Sequence, residues 1–342
     1  MICIFDILKL IMSFFVAAVH INPLSSYSET LNFYLVNSLG RIPVPVFFTI
    51  AGYFLYKKIF SNPEICACFA KKYLKRIIPV YVIWSFIYFI PYYMKNPSAT
   101  QILKFVPHLL LDGVYSQLWY MQALIIVVTL SVVLSNKIGI NKTLIISLVL
   151  YTIGLILVPY LPILENILGN NNIVIIIADK LGKKIGRNGL MFGMFFFTFG
   201  GFIYNSKRKP DFGISTIGLI LSTALLFVET TIIKKIGGHY LGLQLSLIPL
   251  TYFLINFSLC LERKLKHKID TKNIRILSFL IYLVHEWIDF LYCKIIKNVQ
   301  LPSLFNNSII SYTCILSITI IISYTIIFLS RKENFNFLKK IY

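Results

Sequence analysis

Long apolar stretches recur along almost the whole chain and are separated by short polar clusters. A helix that crosses the hydrocarbon core of a membrane needs about 20 largely apolar residues. About ten stretches approach or reach that length. We therefore predict an all-α polytopic membrane bundle of about ten transmembrane helices. The predicted spans, in chain order, cover residues 3–22, 42–60, 74–94, 118–136, 142–162, 189–205, 212–233, 239–261, 274–296 and 307–330.

Two segments between these spans have an intermediate pattern. Residues 101–116 read QILKFVPHLLLDGVYS and carry Lys104, Pro107 and Asp112 within an apolar background. Ionisable residues are costly at the centre of a membrane, so this segment is predicted to be an interfacial helix. The apolar run 173–178 is too short to cross.

Composition supports the membrane interpretation. Hydrophobic residues make up 57% of the 342 residues and charged residues 13%, and the mean hydropathy is +0.78. Soluble domains contain about 25% charged residues, and no soluble core of this size hides so many long apolar runs. A second, soluble domain is not expected within these residues.

The formal net charge of +20 raises the question of nucleic-acid binding. The charges stand in short clusters beside the apolar runs, a pattern typical of loops next to an anionic inner leaflet, so no nucleic-acid partner is expected. Segments on one predicted side hold about twice as many Lys and Arg residues as those on the other. This asymmetry places both termini in the cytoplasm. Residues 1–330 form the predicted membrane domain, and 331–342, RKENFNFLKKIY, a basic cytoplasmic tail.

The six cysteines are scattered. Cys66 and Cys68 are two residues apart, so they do not share a helix face, and no second pair completes a zinc set. We expect no metal site.

Polar side chains collect in the outer halves of the predicted spans. Ionisable residues inside a membrane usually face a cavity or a partner, which makes this group a candidate site. A purely interfacial role stays open for some of them, because arginines at span ends can extend to the interface and tryptophan is common in interfacial belts. The group comprises His20, Arg41, Gln117, Trp119, Arg187, Asn188, Glu229, His239, His285 and Glu286.

The first span carries a second pattern. Lys9 and His20 are eleven residues apart, which at about 100° per residue places them on one helix face, about 16 Å apart along the axis. Asp6 is three residues before Lys9, a spacing suited to an ion pair. Imidazole can act as a general base or nucleophile near neutral pH.

Five segments in order along the chain resemble the integral-membrane acyltransferase-3 family. This family includes surface O-acetyltransferases and the membrane half of vancomycin-resistance serine racemases. Its fold is a ten-helix bundle. The matching segments are FDILKLIMSFFVAAVHINPL, LGRIPVPVFFTIAGYFLYKK, QLWYMQALI, GRNGLMFGMFFFTFGGFIY and SFLIYLVHEW.

The resemblance implies an acyltransferase that transfers groups other than aminoacyl groups. The donor would be cytoplasmic acetyl-CoA, and the acceptor a hydroxyl of an extracytoplasmic glycan or envelope precursor. The protein would then lie in the plasma (inner) membrane, with the lipid bilayer and the glycan or precursor as its partners.

The resemblance also implies site residues. His20 matches the family histidine that activates the acceptor hydroxyl or carries the acyl group, although Lys9 stands where the family usually has arginine. Val44 and Gln117 likewise stand where the family often has arginine and histidine. The catalytic residues implied are His20, Lys9 and Glu229, and the substrate-binding residues implied are Arg41, Trp119, Arg187, Asn188 and His285.

A second function stays open beside the transferase. In the racemase-associated branch the membrane part has been thought to bring serine across, and a soluble racemase domain follows it. The alternative is therefore a bundle that translocates a small serine-like metabolite. The chain, which ends at Tyr342, is expected to be either a stand-alone relative or a piece of a longer protein.

Overall fold

The computed structural model describes residues 2–95, 98–169, 172–178, 189–206, 208–238, 241–265, 269–299 and 307–342. Within those ranges all regular structure is helical and no strand occurs. The fold is all-α, as predicted.

The main helices are numbered here in chain order. They are α1 (Cys3–Ile21), α2 (Glu29–Asn37), α3 (Pro43–Ser61), α4 (Cys66–Ile87), α5 (Phe89–Lys95), α6 (Ala99–Leu111), α7 (Trp119–Ile138), α8 (Ile140–Leu157), α9 (Leu161–Leu168), α10 (Met194–Asn205), α11 (Phe212–Lys235), α12 (Leu247–Lys264), α13 (Lys272–Val299) and α14 (Ser308–Leu329). A 3₁₀ turn, Leu39–Arg41, joins α2 to α3, and a π-helical turn, Gly189–Gly193, leads into α10.

Eight helical segments in the described ranges are long and apolar enough to cross a membrane. These segments contain α1, α3, α4, α7, α8, α11, α13 and α14. The sixth predicted span corresponds to the shorter apolar helix Gly189–Asn205. The chain is therefore a multi-pass membrane protein, and the number of about ten spans stays a prediction.

The eighth predicted span, residues 239–261, begins in the wrong place. Helix α12 starts only at Leu247, and residues 241–246 form a loop before it. Apolar composition alone does not reveal this loop, because two of its backbone N–H groups, those of Leu245 and Ser246, donate to a side chain from another helix, Glu229.

The segment predicted to be an interfacial helix is helical. Helix α6 ends at Leu111, and the chain turns at Gly113, whose φ of +80° suits glycine. Residues 173–178 form one short helix that cannot cross a membrane. The position of α6 at the membrane surface stays a prediction.

Helices α3 and α10 pack closely at the centre of the bundle, because glycines allow their backbones to approach. A Cβ at Gly52 would clash with the carbonyl of Phe197, and a Cβ at Gly200 would clash with the carbonyl of Thr49. The side chains of α10 are almost all buried, including Phe196. This central pair supports the helices that carry the polar side chains.

Helices α1 and α13 pack side by side and run parallel. Near their N-termini the Thr271 hydroxyl donates to Asp6 at 2.7 Å. Near the other end of α1, His20 contacts Glu286. We call the two ends of the bundle the Lys9 end and the His20 end. Those members of the predicted polar group that lie within the described residues are found at the His20 end.

Candidate functional site

The last turn of α1 presents His20 to α13. The Nδ1 atom of His20 lies 2.6 Å from Oε1 of Glu286. The His20 side chain is 21% exposed, and that of Glu286 only 6%. Asn22, two residues after His20, adopts a left-handed conformation and ends α1. The imidazole thus contacts a buried carboxylate on one side and is partly exposed on the other.

Glu286 has a second partner besides His20. The Ser116 hydroxyl, in the turn before α7, donates to the same Oε1 atom. Two donors therefore fix the orientation of one carboxylate oxygen, and a charge-assisted hydrogen bond of this kind is stronger than a neutral one. The pair His20 and Glu286 is a preorganised unit and not a surface ion pair.

His285 lies beside this pair and is fully buried. Its ring centre is 5.4 Å from that of His20. Nδ1 of His285 lies 2.9 Å from the carbonyl of Ile281, and a carbonyl oxygen only accepts, so Nδ1 carries the proton. The Nε2 lone pair then has no hydrogen-bond partner among the described residues. A buried acceptor without a partner is uncommon and suits a ligand that donates.

A small cavity of about 70 Å³ opens beside His20. It reaches from the end of α1 to the start of α7 and to the π-helical turn. We call it the site cavity. Its lining residues with polar or aromatic side chains are His20, Arg41, Phe47, Gln117, Trp119, Tyr120, Phe192 and Tyr282.

Arg41 brings a positive charge to the site cavity. It stands in the 3₁₀ turn between α2 and α3, and its guanidinium donates to Oδ1 of Asn37 at 2.7 Å. Arginine is always protonated and presents several donors in one plane, which suits a carboxylate, a phosphate or a developing oxyanion. The structure thus brings Arg41 and His20 to one cavity.

Gln117 and Trp119 form another part of the wall of the site cavity. Gln117 is 2% exposed, and its Oε1 atom has no hydrogen-bond partner among the described residues. The backbone carbonyl of Gln117 accepts from the Tyr282 hydroxyl at 2.6 Å, which fixes this wall to α13. Trp119 begins α7 and packs against Phe192, with 6.1 Å between ring centres.

Glu229 lies at the same end of the bundle but does not line the site cavity. Its carboxylate accepts from the backbone N–H groups of Leu245 at 2.6 Å and Ser246 at 2.7 Å, and from the Tyr160 hydroxyl at 2.6 Å. The carboxylate therefore holds the loop 241–246. Its predicted part in catalysis stays a prediction.

The loop held by Glu229 reaches the site cavity at Gly242. Its next polar residue, Gln244, donates to the backbone carbonyl of Asn37 at 2.9 Å. Asn37 in turn accepts from Arg41. A continuous chain of hydrogen bonds thus connects this loop to the cation of the site.

Lys9 lies in the first half of α1, eleven residues before His20, and does not line the site cavity. Its ammonium is 3.6 Å from Asp6, as the spacing predicted, and 5.7 Å from the ring centre of Phe54. Arg76 and Arg275 are close enough for their charges to act on it. The structure separates Lys9 from His20 and groups it with other cations.

Three of the sequence candidates, Arg187, Asn188 and His239, lie outside the described residues. Their roles stay predictions. Directly after Asn188 comes the π-helical turn Gly189–Gly193, a geometry that is frequent at functional sites.

Sequence reasoning left Glu286 and Ser116 out of the assigned site. Glu286 was visible as an ionisable residue inside a span, which is itself a signal of function. Nothing in the sequence marks Ser116, because a serine in a turn is common. Its contact with α13 exists only in the folded bundle.

His20, His285 and Glu286 are the described residues that could hold a metal ion, since their ligand atoms lie within 4.8 Å of one another. Histidine and glutamate at about 2.0–2.2 Å from a zinc ion lie roughly 3.3 Å apart in a tetrahedral site. The separation of 2.6 Å between His20 and Glu286 is a hydrogen-bond distance. The arrangement fits a proton-sharing pair, and the expectation of no metal stays a prediction.

Comparison with known proteins places these features in a family. Three curated relatives match 96% of this chain: two amino-acid racemases of Enterococcus faecalis, 26% and 24% identical, and a serine/alanine racemase of Enterococcus gallinarum, 26% identical. The chain covers 45% of the first of these and 46% of the other two, so it spans about half the length of these relatives. No solved structure matches significantly.

A family model described as an acyltransferase domain matches residues 4–328. This range runs from the first turn of α1 to the last turn of α14 and includes every residue of the site cavity. The chain belongs to the acyltransferase-3 family of membrane proteins.

Proposed function

We propose that the protein is a membrane-bound O-acyltransferase that moves an acetyl group from acetyl-CoA to a hydroxyl of an extracytoplasmic glycan or envelope precursor. The observation that carries this proposal is the contact of 2.6 Å between His20 and Glu286 at the wall of a cavity that also contains Arg41. A histidine oriented by a carboxylate is a common means of activating a hydroxyl.

His20 is the proposed base. Its Nδ1–H donates to the Glu286 carboxylate, so Nε2 presents the lone pair that takes the proton of the acceptor hydroxyl. The hydroxyl oxygen attacks the thioester carbonyl, the C–S bond breaks, and the proton passes from His20 to the leaving thiolate. The products are the acetyl ester and the free thiol.

Arg41 is the proposed stabiliser of the oxyanion that forms during this attack. A fixed cation in a site of low polarity stabilises such a charge more strongly than water does, because it needs no reorganisation. The hydrogen bond to Asn37 keeps the guanidinium in place. The buried Oε1 atom of Gln117 lines the site cavity and is proposed to accept a hydrogen bond from the acceptor. His285 does not line the cavity, so its Nε2 atom would accept a second hydrogen bond only if acceptor binding uncovers it.

The Lys9 end is the proposed entrance for the donor. Lys9, Arg76 and Arg275 form a group of positive charges that suits the phosphates of CoA. The long pantetheine arm would lie along α1 and carry the thioester toward His20. The excess of Lys and Arg in the segments on this side supports a position of the Lys9 end at the cytoplasmic face of the plasma membrane. Acetyl-CoA would reach it from the cytoplasm.

The test compares His20→Ala with His108→Ala, which removes a half-exposed histidine in α6. At equal protein levels, the first variant should lose the acetyl ester from envelope polymers and the second should keep it. Ester retained in His20→Ala would reject the proposal.

A second function, translocation of a small serine-like amino acid, is favoured by one observation. The curated relatives are named as racemases of amino acids, and this chain matches about half of each. Uptake of labelled serine into vesicles that is lost in Arg41→Ala and needs no acetyl-CoA would favour translocation over transfer.

A further inference from the structure

A second cavity lies at the Lys9 end of the bundle, between the first half of α4 and the second half of α7. Its volume is about 620 Å³. Its walls are largely apolar and are formed mainly by Ala67, Ala70, Leu74, Ile78, Val132 and Val133. We call it the α4–α7 groove. Along α7 it lies about 20 Å from Trp119, so it is separate from the site cavity.

Two cations stand beside this apolar surface. Lys71 and Lys75 are four residues apart on α4, so they project from one face of the helix. Both are exposed, and neither forms an ion pair with an acidic side chain in the described part of the chain. The groove thus combines a long apolar wall with two positive charges that have no acidic partner among the described residues.

The length of the groove is comparable to the thickness of one leaflet of a bilayer. The lining residues of α4 run from Cys66 to Pro79, about 20 Å along the helix axis. One leaflet of the hydrocarbon core is about 15 Å thick. Lys71 and Lys75 are the sixth and tenth of the 22 residues of α4. Helical side chains tilt toward the N-terminus of their helix, so the long lysine side chains can extend along the groove toward the headgroup layer while Leu74 and Ile78 lie beside the acyl chains.

We propose that the α4–α7 groove binds one anionic phospholipid, with an acyl chain along the apolar wall and the headgroup phosphate at Lys71 and Lys75. The apolar wall gives no preference among lipids with similar chains. The two lysines favour a lipid with net negative charge, because a zwitterionic headgroup carries its own cation beside the phosphate.

The experiment uses the full chain purified in a mild detergent. Native mass spectrometry counts the lipids that stay bound, and unfolding temperature is measured with added phosphatidylglycerol or phosphatidylcholine. The double variant Lys71→Gln/Lys75→Gln should bind phosphatidylglycerol roughly thirtyfold more weakly. The matched variant Lys57→Gln/Lys58→Gln removes two exposed charges at the end of α3 and should bind like the unmodified protein.

A second variant tests the apolar wall. Ala67→Trp fills the groove without changing a charge and should also lose the bound lipid. Equal binding of both lipids by the unmodified protein would overturn the proposal. So would unchanged phosphatidylglycerol binding in the Lys71 and Lys75 variant, or in Ala67→Trp, since the lipid would then be held by surface charge or sit elsewhere.

Discussion

Nδ1 of His20 and Oε1 of Glu286 lie 2.6 Å apart, between helices that run parallel through the bundle. Glu286 is buried and also accepts a hydrogen bond from the Ser116 hydroxyl, whereas His20 lines the site cavity. The contact therefore joins a fixed, protected carboxylate to an imidazole that a substrate can reach.

Glu286→Gln should lower acyl transfer by about a hundredfold or more, because the neutral amide neither stabilises an imidazolium at His20 nor fixes its tautomer. The measurement is the rate of ester formation in membranes that contain equal amounts of protein. Glu64→Gln, an exposed glutamate beside the start of α4, is the control and should be fully active. Activity of Glu286→Gln equal to that of the control would contradict the proposed pair.

His285→Leu should separate stability from activity. Nε2 of His285 has no partner within the described chain, so removing this buried acceptor should leave the unfolding temperature unchanged or raise it. Acyl transfer should fall, mainly through a higher KM for the acceptor, because the acceptor loses a hydrogen-bond partner. A large fall in unfolding temperature with unchanged KM would assign His285 to packing alone.

Glu229→Gln should destabilise the protein by about 2 kcal/mol, because an amide cannot accept the three hydrogen bonds that the carboxylate accepts. The unfolding temperature should fall by a few degrees and KM should rise more than kcat falls, since the loop reaches the site cavity at Gly242. Glu165→Gln in α9 is the control. A fall in kcat at unchanged unfolding temperature would instead give Glu229 a direct catalytic part.

Lys9→Gln should raise KM for acetyl-CoA by roughly tenfold, because one charge-assisted contact to a phosphate is lost. KM for the acceptor should not change, since Lys9 is eleven residues, about 16 Å, from His20 along α1. Lys9→Arg keeps the charge and should retain most of the donor affinity. An equal rise in both KM values would argue against a separate donor entrance.

The membrane fold was predictable because it depends on the length of apolar runs. Backbone groups in lipid must be satisfied within the chain, so a long apolar run has few alternatives to a helix. The start of α12 at Leu247 was not predicted, because leucines continue through the loop before it and the contact that holds this loop comes from Glu229 in another helix. Local composition cannot show such a contact.

The candidate site was predictable only in part, for a related reason. His20 and Arg41 stand out as ionisable residues at span ends. The pairing of His20 with Glu286 depends on α1 packing beside α13, and the order of helices in space is not encoded in the spans. The separation of Lys9 from His20 was predictable, because both residues lie in one helix and their spacing of eleven residues sets the distance along its axis.

The pairing of α1 with α13 also has a consequence for how the protein is made. His20 is synthesised about 270 residues before Glu286, which at ribosomal speeds of about 5–20 residues per second is an interval of roughly 15 to 50 s. During this interval α1 has been synthesised, but the part of α13 that contacts it, which contains Glu286, has not. The packing of α1 against α13 is therefore a late step in the assembly of the bundle. A nascent chain that stops before α13 lacks Glu286, the carboxylate that orients His20.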